Sequence, residues 1–111
     1  MSPKYPTPTA REMIADIAPK LFEITDKVLF GDIWERPGLS KRDRSLIVVA
    51  TLIATYRPEQ LKGHLGRALD NGVTKDEIAE IITHLAFYSG WPASVTARSI
   101  AAEVYEERGL A

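Results

Sequence analysis

The chain has 111 residues, which is enough for one hydrophobic core but hardly for two. Hydrophobic residues make up 45% and charged residues 26%, a balance typical of a globular domain and not of a disordered or membrane-spanning chain. The formal net charge is -1 with basic and acidic residues interspersed, which argues against a nucleic-acid partner. Because cysteine is absent, disulfides, thiolate nucleophiles and cysteine-based metal sites are excluded.

The first nine residues are rich in proline. Pro3, Pro6 and Pro8 predict an extended arm without a catalytic role over residues 1–9, followed by a single domain over residues 10–111. The start has no apolar core of the length that a secretory signal needs, and no later apolar run reaches the roughly 18 residues of a membrane span. We therefore expect a cytoplasmic protein without a membrane partner.

The next segment has helical spacing of apolar residues up to a loop. Residues 9 to about 30 predict one helix or two short ones, with Pro19 breaking or restarting the helix. Gly31 and the pair Pro37 and Gly38 then predict a loop.

A strongly apolar helix follows this loop. Ser40 and Asp43 have the spacing of a capping box, which predicts a helix from there to about Tyr56. This helix is apolar nearly all the way round, which predicts burial on every side. In so small a domain, we expect a second subunit to supply part of that burial.

The second half of the chain contains three more helices with clear boundary signals. Pro58 suits the first position of a helix that ends at Asn71 and Gly72. A capping box at Thr74 opens a helix that stops at Gly90, and a last helix runs to about residue 108. Because no stretch alternates with a period of two, the predicted fold class is all-α, with about six helices.

Two histidines are the side chains best suited to proton transfer near neutral pH. Helical spacing places His64 and His84 each at the border of its helix's apolar face. Gln60 lies one turn before His64, and Tyr88 lies one turn after His84. A hydrogen-bonded structural role is the alternative for each of these four residues.

The remaining polar residues give weaker signals. Arg44, at the start of the apolar helix, is the cation we select for binding an anion, with a solvated surface charge as the alternative. Two histidines without a clustered third ligand predict no metal site. Gly63 and Gly66 lie inside a predicted helix and form no phosphate loop, so no cofactor is implied.

Three segments of the chain carry a family resemblance. They are residues 36–47, residues 57–78 including His64, and the closing segment Tyr88-Ser-Gly-Trp-Pro-Ala. Together they cover roughly residues 28–106, in order and at the family's spacing. In these motifs the chain resembles the carboxymuconolactone decarboxylase family, which belongs to the alkylhydroperoxidase-like superfamily.

The resemblance implies an all-α subunit that forms a ring-like homo-oligomer, a trimer or a hexamer. It also implies a decarboxylase that converts γ-carboxymuconolactone to the enol-lactone of 3-oxoadipate in aromatic compound degradation. Thiol peroxidase activity does not follow, because Arg57 and Gln60 occupy the positions of the superfamily's cysteine pair. Ser45 and Gln60 stand at positions that are often acidic. A related enzyme for another lactone or cyclic acid, and a non-catalytic oligomeric binding module, therefore stay open as alternatives.

The implied reaction assigns a role to each candidate residue. His64 would transfer the proton, His84 and Tyr88 would contact the lactone or dienolate, Arg44 would bind a carboxylate, and Gln60 would orient His64 or the substrate. The expected partner is thus a small carboxylic acid or lactone, without a cofactor.

The two tryptophans are further candidates for the pocket. Trp34 and Trp91 would form its walls and contact the substrate. Packing in the core or at a subunit interface is the alternative for both.

Overall fold

A computed structural model describes residues 17–111, and contacts divide the chain into two compact units, Met1–Gly38 and Leu39–Ala111. Secondary structure within the described residues is entirely helical, which confirms the all-α prediction. The predicted arm over residues 1–9 lies outside the described residues, and the single domain over residues 10–111 stays a prediction. In residues 17–111, no helix is both long and apolar enough to cross a membrane.

The described part of the first unit consists of three short helical segments. Helix α1 spans Pro19–Ile24 and continues as a π-helix over Thr25–Phe30, and a 3₁₀ turn follows at Ile33–Glu35. Pro19 takes the first turn of α1, where its missing N–H has no intrahelical partner to lose. This confirms the prediction that a helix starts again at Pro19.

The second unit is a bundle of four α-helices. They are α2 (Lys41–Ala54), α3 (Pro58–Asp70), α4 (Lys75–Ser89) and α5 (Trp91–Glu107). Helix α2 packs against the other three, and α5 also packs against α3 and α4. The buried core of this bundle comprises Val49, Ile53, Leu61, Leu65, Ala68, Val73, Ile78, Ala97, Ile100, Ala101 and Val104.

The helix starts follow the sequence signals closely. The Ser40 hydroxyl accepts a hydrogen bond from the backbone N–H of Asp43 at 3.0 Å, and Pro58 occupies the first turn of α3. At α4 the capping box is reciprocal: Thr74 Oγ1 accepts from the Glu77 N–H at 3.1 Å, and Glu77 Oε1 accepts from the Thr74 N–H at 2.9 Å.

The ends of α2, α3 and α5 share one backbone geometry. Each is a Schellman motif, in which a residue of positive φ follows the helix and the next amide bonds back to the last turn. Glycine takes the positive-φ position after α3 (Gly72, φ 96°) and after α5 (Gly109, φ 70°). After α2 the position is Tyr56 (φ 56°), so this helix ends at Ala54, two residues before the predicted end.

Burial of α2 within the unit is confined to part of its circumference. Ser45, Val49 and Ile53 are buried, whereas Ile47 is 53% exposed. Within one subunit part of the apolar surface of α2 therefore stays exposed, and the predicted burial on every side needs further cover. That a second subunit supplies this cover stays a prediction.

Candidate active site

His64 lies on α3 between two core residues. Leu61 and Leu65 are buried, and the histidine ring beside them is half-buried. Its Nδ1 atom is shielded from solvent and has no hydrogen-bond partner among the described residues. Burial lowers the pKa of His64 below its ordinary value of 6.5, and the positive charge of Arg67 lowers this pKa further. His64 is thus a mostly neutral ring near pH 7, and its protonated form is a stronger acid than a free imidazolium.

An open depression lies at the start of the same helix. It has a volume of about 520 Å³ and is lined by residues 56–60. Gln60 in its wall is exposed and precedes His64 by four residues, so both side chains project from the same side of α3. The structure therefore agrees with the predicted placement of Gln60 one turn from His64.

Tyr56 is the residue of this depression that sequence reasoning missed. Its amide donates to the Ile53 carbonyl at 3.1 Å, and the Arg57 amide donates to the Leu52 carbonyl at 2.8 Å. Among the described residues, Tyr56 is the one non-glycine residue with positive φ. A left-handed conformation costs an L-residue roughly 1–2 kcal/mol. The available signal was Pro58, since a helix that starts there leaves only a tight turn after α2.

His84 and Tyr88 lie next to each other on α4. Their rings are 4.9 Å apart between centroids and tilted by 45°. Both side chains are exposed, and Tyr88 has 77% of its surface accessible. The predicted neighbour relation of these two residues therefore holds, but within one subunit they form an open surface and not an enclosed pocket.

Trp91 extends this surface onto α5. It packs edge-on against Phe87, with centroids 5.6 Å apart and an interplanar angle of 78°. We call the exposed residues His84, Phe87, Tyr88, Trp91 and Val95 the aromatic face. Large exposed apolar surfaces of this kind mark sites of association or ligand binding. Sequence reasoning missed Phe87, because its contact with Trp91 spans the break between two helices.

The two candidate histidines lie on different helices of the subunit. Across residues 17–111, no hydrogen bond or ring contact joins His64 to His84. They are carried by α3 and α4, each of which packs mainly against α2 and α5. A pocket that uses both histidines therefore stays a prediction.

Arg44 and Ser45 lie near the start of α2. Arg44 is half-buried, with its Nε atom shielded from solvent. Ser45 is 1% exposed, and its hydroxyl accepts a hydrogen bond of 3.0 Å from the side-chain amide of Asn71. Ser45 thus attaches α2 to the end of α3, and its hydroxyl is committed to a structural contact.

Trp34 lies in the first unit. It is 6% exposed and stacks on Phe30, with centroids 5.9 Å apart and an interplanar angle of 27°. These contacts support a packing role. Its predicted role as a pocket wall stays a prediction.

The chain is similar in sequence to one protein family and to individual known proteins. Residues 19–103 match the Carboxymuconolactone decarboxylase family. The chain is 45% identical over 82 residues to the 4-carboxymuconolactone decarboxylase of Acinetobacter baylyi, an alignment that covers 74% of this chain and 61% of the relative. It is 36% identical over 75 residues to the nitrosuccinic acid decarboxylase npaB of Metarhizium robertsii, covering 68% of this chain and 52% of the relative. An uncharacterised 15.0 kDa protein of Paracoccus denitrificans is 36% identical over 80 residues, with coverage of 70% and 60%.

The helical architecture and the matched region together define the class as an alkylhydroperoxidase-like, all-α fold. Within this class, the chain belongs to the Carboxymuconolactone decarboxylase family, which confirms the resemblance seen in the sequence. The chain spans between 52% and 61% of the length of the curated relatives it matches.

Proposed function

We propose that the protein is a cofactor-independent decarboxylase of a small lactone carboxylic acid such as γ-carboxymuconolactone. Support comes from family membership and from the relative that carries the name 4-carboxymuconolactone decarboxylase. The observation that carries the proposal is the half-buried His64, whose shielded Nδ1 is uncommitted among the described residues. Aromatic degradation as the setting and the cytoplasm as the location belong to the same proposal.

The proposed reaction needs an acid and a stabilised oxyanion. The bond between the ring carbon and its carboxylate breaks, and carbon dioxide leaves. The electron pair moves through the ring double bond onto the lactone carbonyl, which becomes the oxyanion of a dienolate. A proton then adds to the carbon next to that carbonyl, giving the enol-lactone. The conjugated carbonyl itself takes up the electrons, so the step requires no cofactor.

His64 is the proposed source of the proton. Because burial and Arg67 lower its pKa, its protonated form gives up a proton readily to the dienolate carbon next to the lactone carbonyl. A bound dicarboxylate would raise this pKa, because negative charge favours the imidazolium. Substrate binding would therefore favour protonation of His64, and His64 would pass this proton to the product.

The other candidate residues have binding roles in this proposal. The half-buried Arg44 guanidinium binds a substrate carboxylate, and Gln60 orients His64 or the substrate. His84 and Tyr88 contact the lactone or the dienolate oxygen, where donors in a water-poor site are most effective. Trp34 and Trp91 remain proposed pocket walls.

Assembly into a homo-oligomer, a trimer or a hexamer, completes the proposal. The aromatic face is exposed in the single subunit, with Trp91 at 61% and Tyr88 at 77%. Covering it with a second subunit would remove apolar surface from water and enclose His84 and Tyr88. Light scattering of the purified protein tests this, because a stable monomer would contradict it.

Turnover of γ-carboxymuconolactone by the purified protein tests the function. The change in ultraviolet absorbance should match the carbon dioxide released mole for mole. The same assay with His64→Ala, at equal helix content, should show little turnover. An oligomeric wild type that releases no carbon dioxide would reject this substrate.

A second candidate is an enzyme for another small carboxylic acid. The relative named nitrosuccinic acid decarboxylase favours it, as does the absence of acidic side chains at positions 45 and 60. Carbon dioxide release from nitrosuccinic acid, but not from γ-carboxymuconolactone, would establish it. Binding of both acids without release would favour the non-catalytic binding module.

A further inference from the structure

Three equivalent backbone positions of positive φ differ in whether they carry glycine. Gly72 and Gly109 take the positive-φ position after α3 and α5, whereas Tyr56 takes it after α2. A Cβ atom added at Gly72 or Gly109 would meet nothing within 4 Å. A lack of space for a side chain therefore does not explain why these two turns carry glycine. Tyrosine is a poor residue for this conformation, and glycine would form the same turn without strain.

The tyrosine side chain has no evident structural task. Its surface is 57% exposed. Its ring and hydroxyl make no aromatic contact and no hydrogen bond with any residue in the range 17–111. Residues held in strained backbone conformations cluster at active sites and ligand-binding sites. The strain at Tyr56 therefore needs a reason outside the packing of this subunit.

The position of the ring supplies that reason. Tyr56 lines the depression of about 520 Å³ together with Arg57 and Gln60. Gln60 is one helical turn from His64, the proposed proton donor. A phenol offers a flat apolar surface for a small ring and a hydroxyl that donates to a carboxylate or carbonyl oxygen.

We propose that Tyr56 is a substrate-contacting residue, held over the depression by its left-handed backbone, and that it helps to select cyclic carboxylic acids. Its ring packs on the lactone ring, and its hydroxyl donates to a carboxylate or lactone oxygen. This inference rests on the proposed function and adds a specificity-determining residue to that site.

Three variants separate this role from a purely structural one. Tyr56→Gly removes the strain together with the side chain, and Tyr56→Phe removes only the hydroxyl. Gly109→Tyr is the matched control, since it places a tyrosine at the equivalent position of α5, away from the depression. Melting temperatures are compared at equal protomer concentration, and kcat/KM is measured with γ-carboxymuconolactone.

We expect opposite changes in stability and activity. Tyr56→Gly should melt at or above the wild-type temperature and lose about tenfold or more in kcat/KM, the loss that about 1.4 kcal/mol of contact energy predicts. Tyr56→Phe should lose severalfold, mainly through KM. Gly109→Tyr should melt several degrees lower, about 4 °C or more, with unchanged kcat/KM. Wild-type kcat/KM in Tyr56→Gly would overturn the inference.

A binding measurement keeps the inference separate from the proposed reaction. The probe is a saturated γ-lactone carboxylate, which lacks the conjugated carbonyl needed for decarboxylation. If the wild type binds this probe without turning over γ-carboxymuconolactone, the reaction is rejected and the affinities decide the role of Tyr56. About tenfold weaker binding by Tyr56→Gly supports the role, and equal binding overturns it. A wild type that neither binds nor reacts rejects both proposals.

Discussion

The two histidines of this protein lie in contrasting surroundings. His64 is half-buried on α3 beside the core residues Leu61 and Leu65, and its pKa is lowered by burial and by Arg67. His84 lies exposed on α4, in contact only with Tyr88 among the ring contacts of residues 17–111. One subunit thus provides the environment that tunes His64. His84 is exposed to solvent within one subunit, and we propose that a second subunit covers it.

This contrast separates the parts of a site that a small helical subunit can form by itself from those that it cannot. Four helices of this length have enough core to bury one side of α3, where a histidine gains a perturbed pKa. They leave the outer faces of α4 and α5 open, with Phe87 and Trp91 more than half exposed. We therefore expect substitutions around His64 to change chemistry directly, and substitutions on the aromatic face to act through assembly.

The largest expected effect is the loss of His64. His64→Gln should lower kcat/KM by about 100-fold or more, because it removes the proposed acid while preserving size and polarity. His84→Gln should lower it by about tenfold, the effect of one lost hydrogen bond in the transition state. Steady-state kinetics at matched helix content and oligomeric state measure both. A larger loss of kcat/KM in His84→Gln than in His64→Gln would contradict the expected order.

The next effect is the loss of assembly after charge is placed on the aromatic face. Phe87→Arg should convert the proposed oligomer to smaller species, since burying an unpaired guanidinium in an apolar interface is strongly unfavourable. Gly63→Arg is the control, because it adds the same charge at an exposed position of α3, where an added Cβ atom meets nothing within 4 Å. Size-exclusion chromatography with light scattering measures the masses. Equal masses for both variants would show that subunits meet elsewhere.

Smaller effects are expected from the contacts that fix the two histidine-bearing helices. Asn71→Ala leaves the buried Ser45 hydroxyl without its 3.0 Å bond and should destabilise the fold by about 1–3 kcal/mol. Thr74→Ala removes half of the α4 capping box and should cost about 1 kcal/mol. Urea unfolding measures both free energies. A larger loss of unfolding free energy in Thr74→Ala than in Asn71→Ala would contradict this order.

The smallest effect is a shift in pH dependence around His64. If the protonated ring is the active acid, kcat/KM falls as pH rises through the folded-state pKa, which lies below 6.5. Arg67→Met removes one cause of the lowered pKa, so this fall should move to higher pH. In wild type, kcat should fall at a higher pH than kcat/KM does, because the carboxylates of the bound substrate favour the imidazolium. If the pH dependence of kcat/KM is unchanged in Arg67→Met, titration of His64 does not control the activity.

Local signals in the sequence predicted most helix boundaries. Pro58, Gly72 and the Thr74 capping box act within one turn of the chain, so their effects do not depend on the rest of the fold. The left-handed conformation of Tyr56 could not be predicted from Tyr56 itself, because tyrosine disfavours it, and the local signal for this turn was the neighbouring Pro58.

The candidate site was predictable only in part. Helical spacing correctly placed Gln60 beside His64 and Tyr88 beside His84, since these pairs lie on single helices. The burial of His64 Nδ1 arises from tertiary packing. The contact between Phe87 and Trp91 depends on the turn at Gly90 between α4 and α5, so spacing within a single helix could not predict it. Whether His64 and His84 share a pocket also cannot be predicted from local sequence patterns, because the two residues lie on different helices.

His64 is the proposed proton-transfer group, and its ring should contact the substrate. Nuclear magnetic resonance titration of the two histidine rings, with and without a saturated γ-lactone carboxylate, examines this contact in solution. We expect the pKa of His64 to lie below 6.5 in the free protein, and we expect the ligand to move the resonances of His64 and to raise its pKa. If the ligand saturates other residues and leaves the His64 ring unchanged, His64 is not the proton-transfer group.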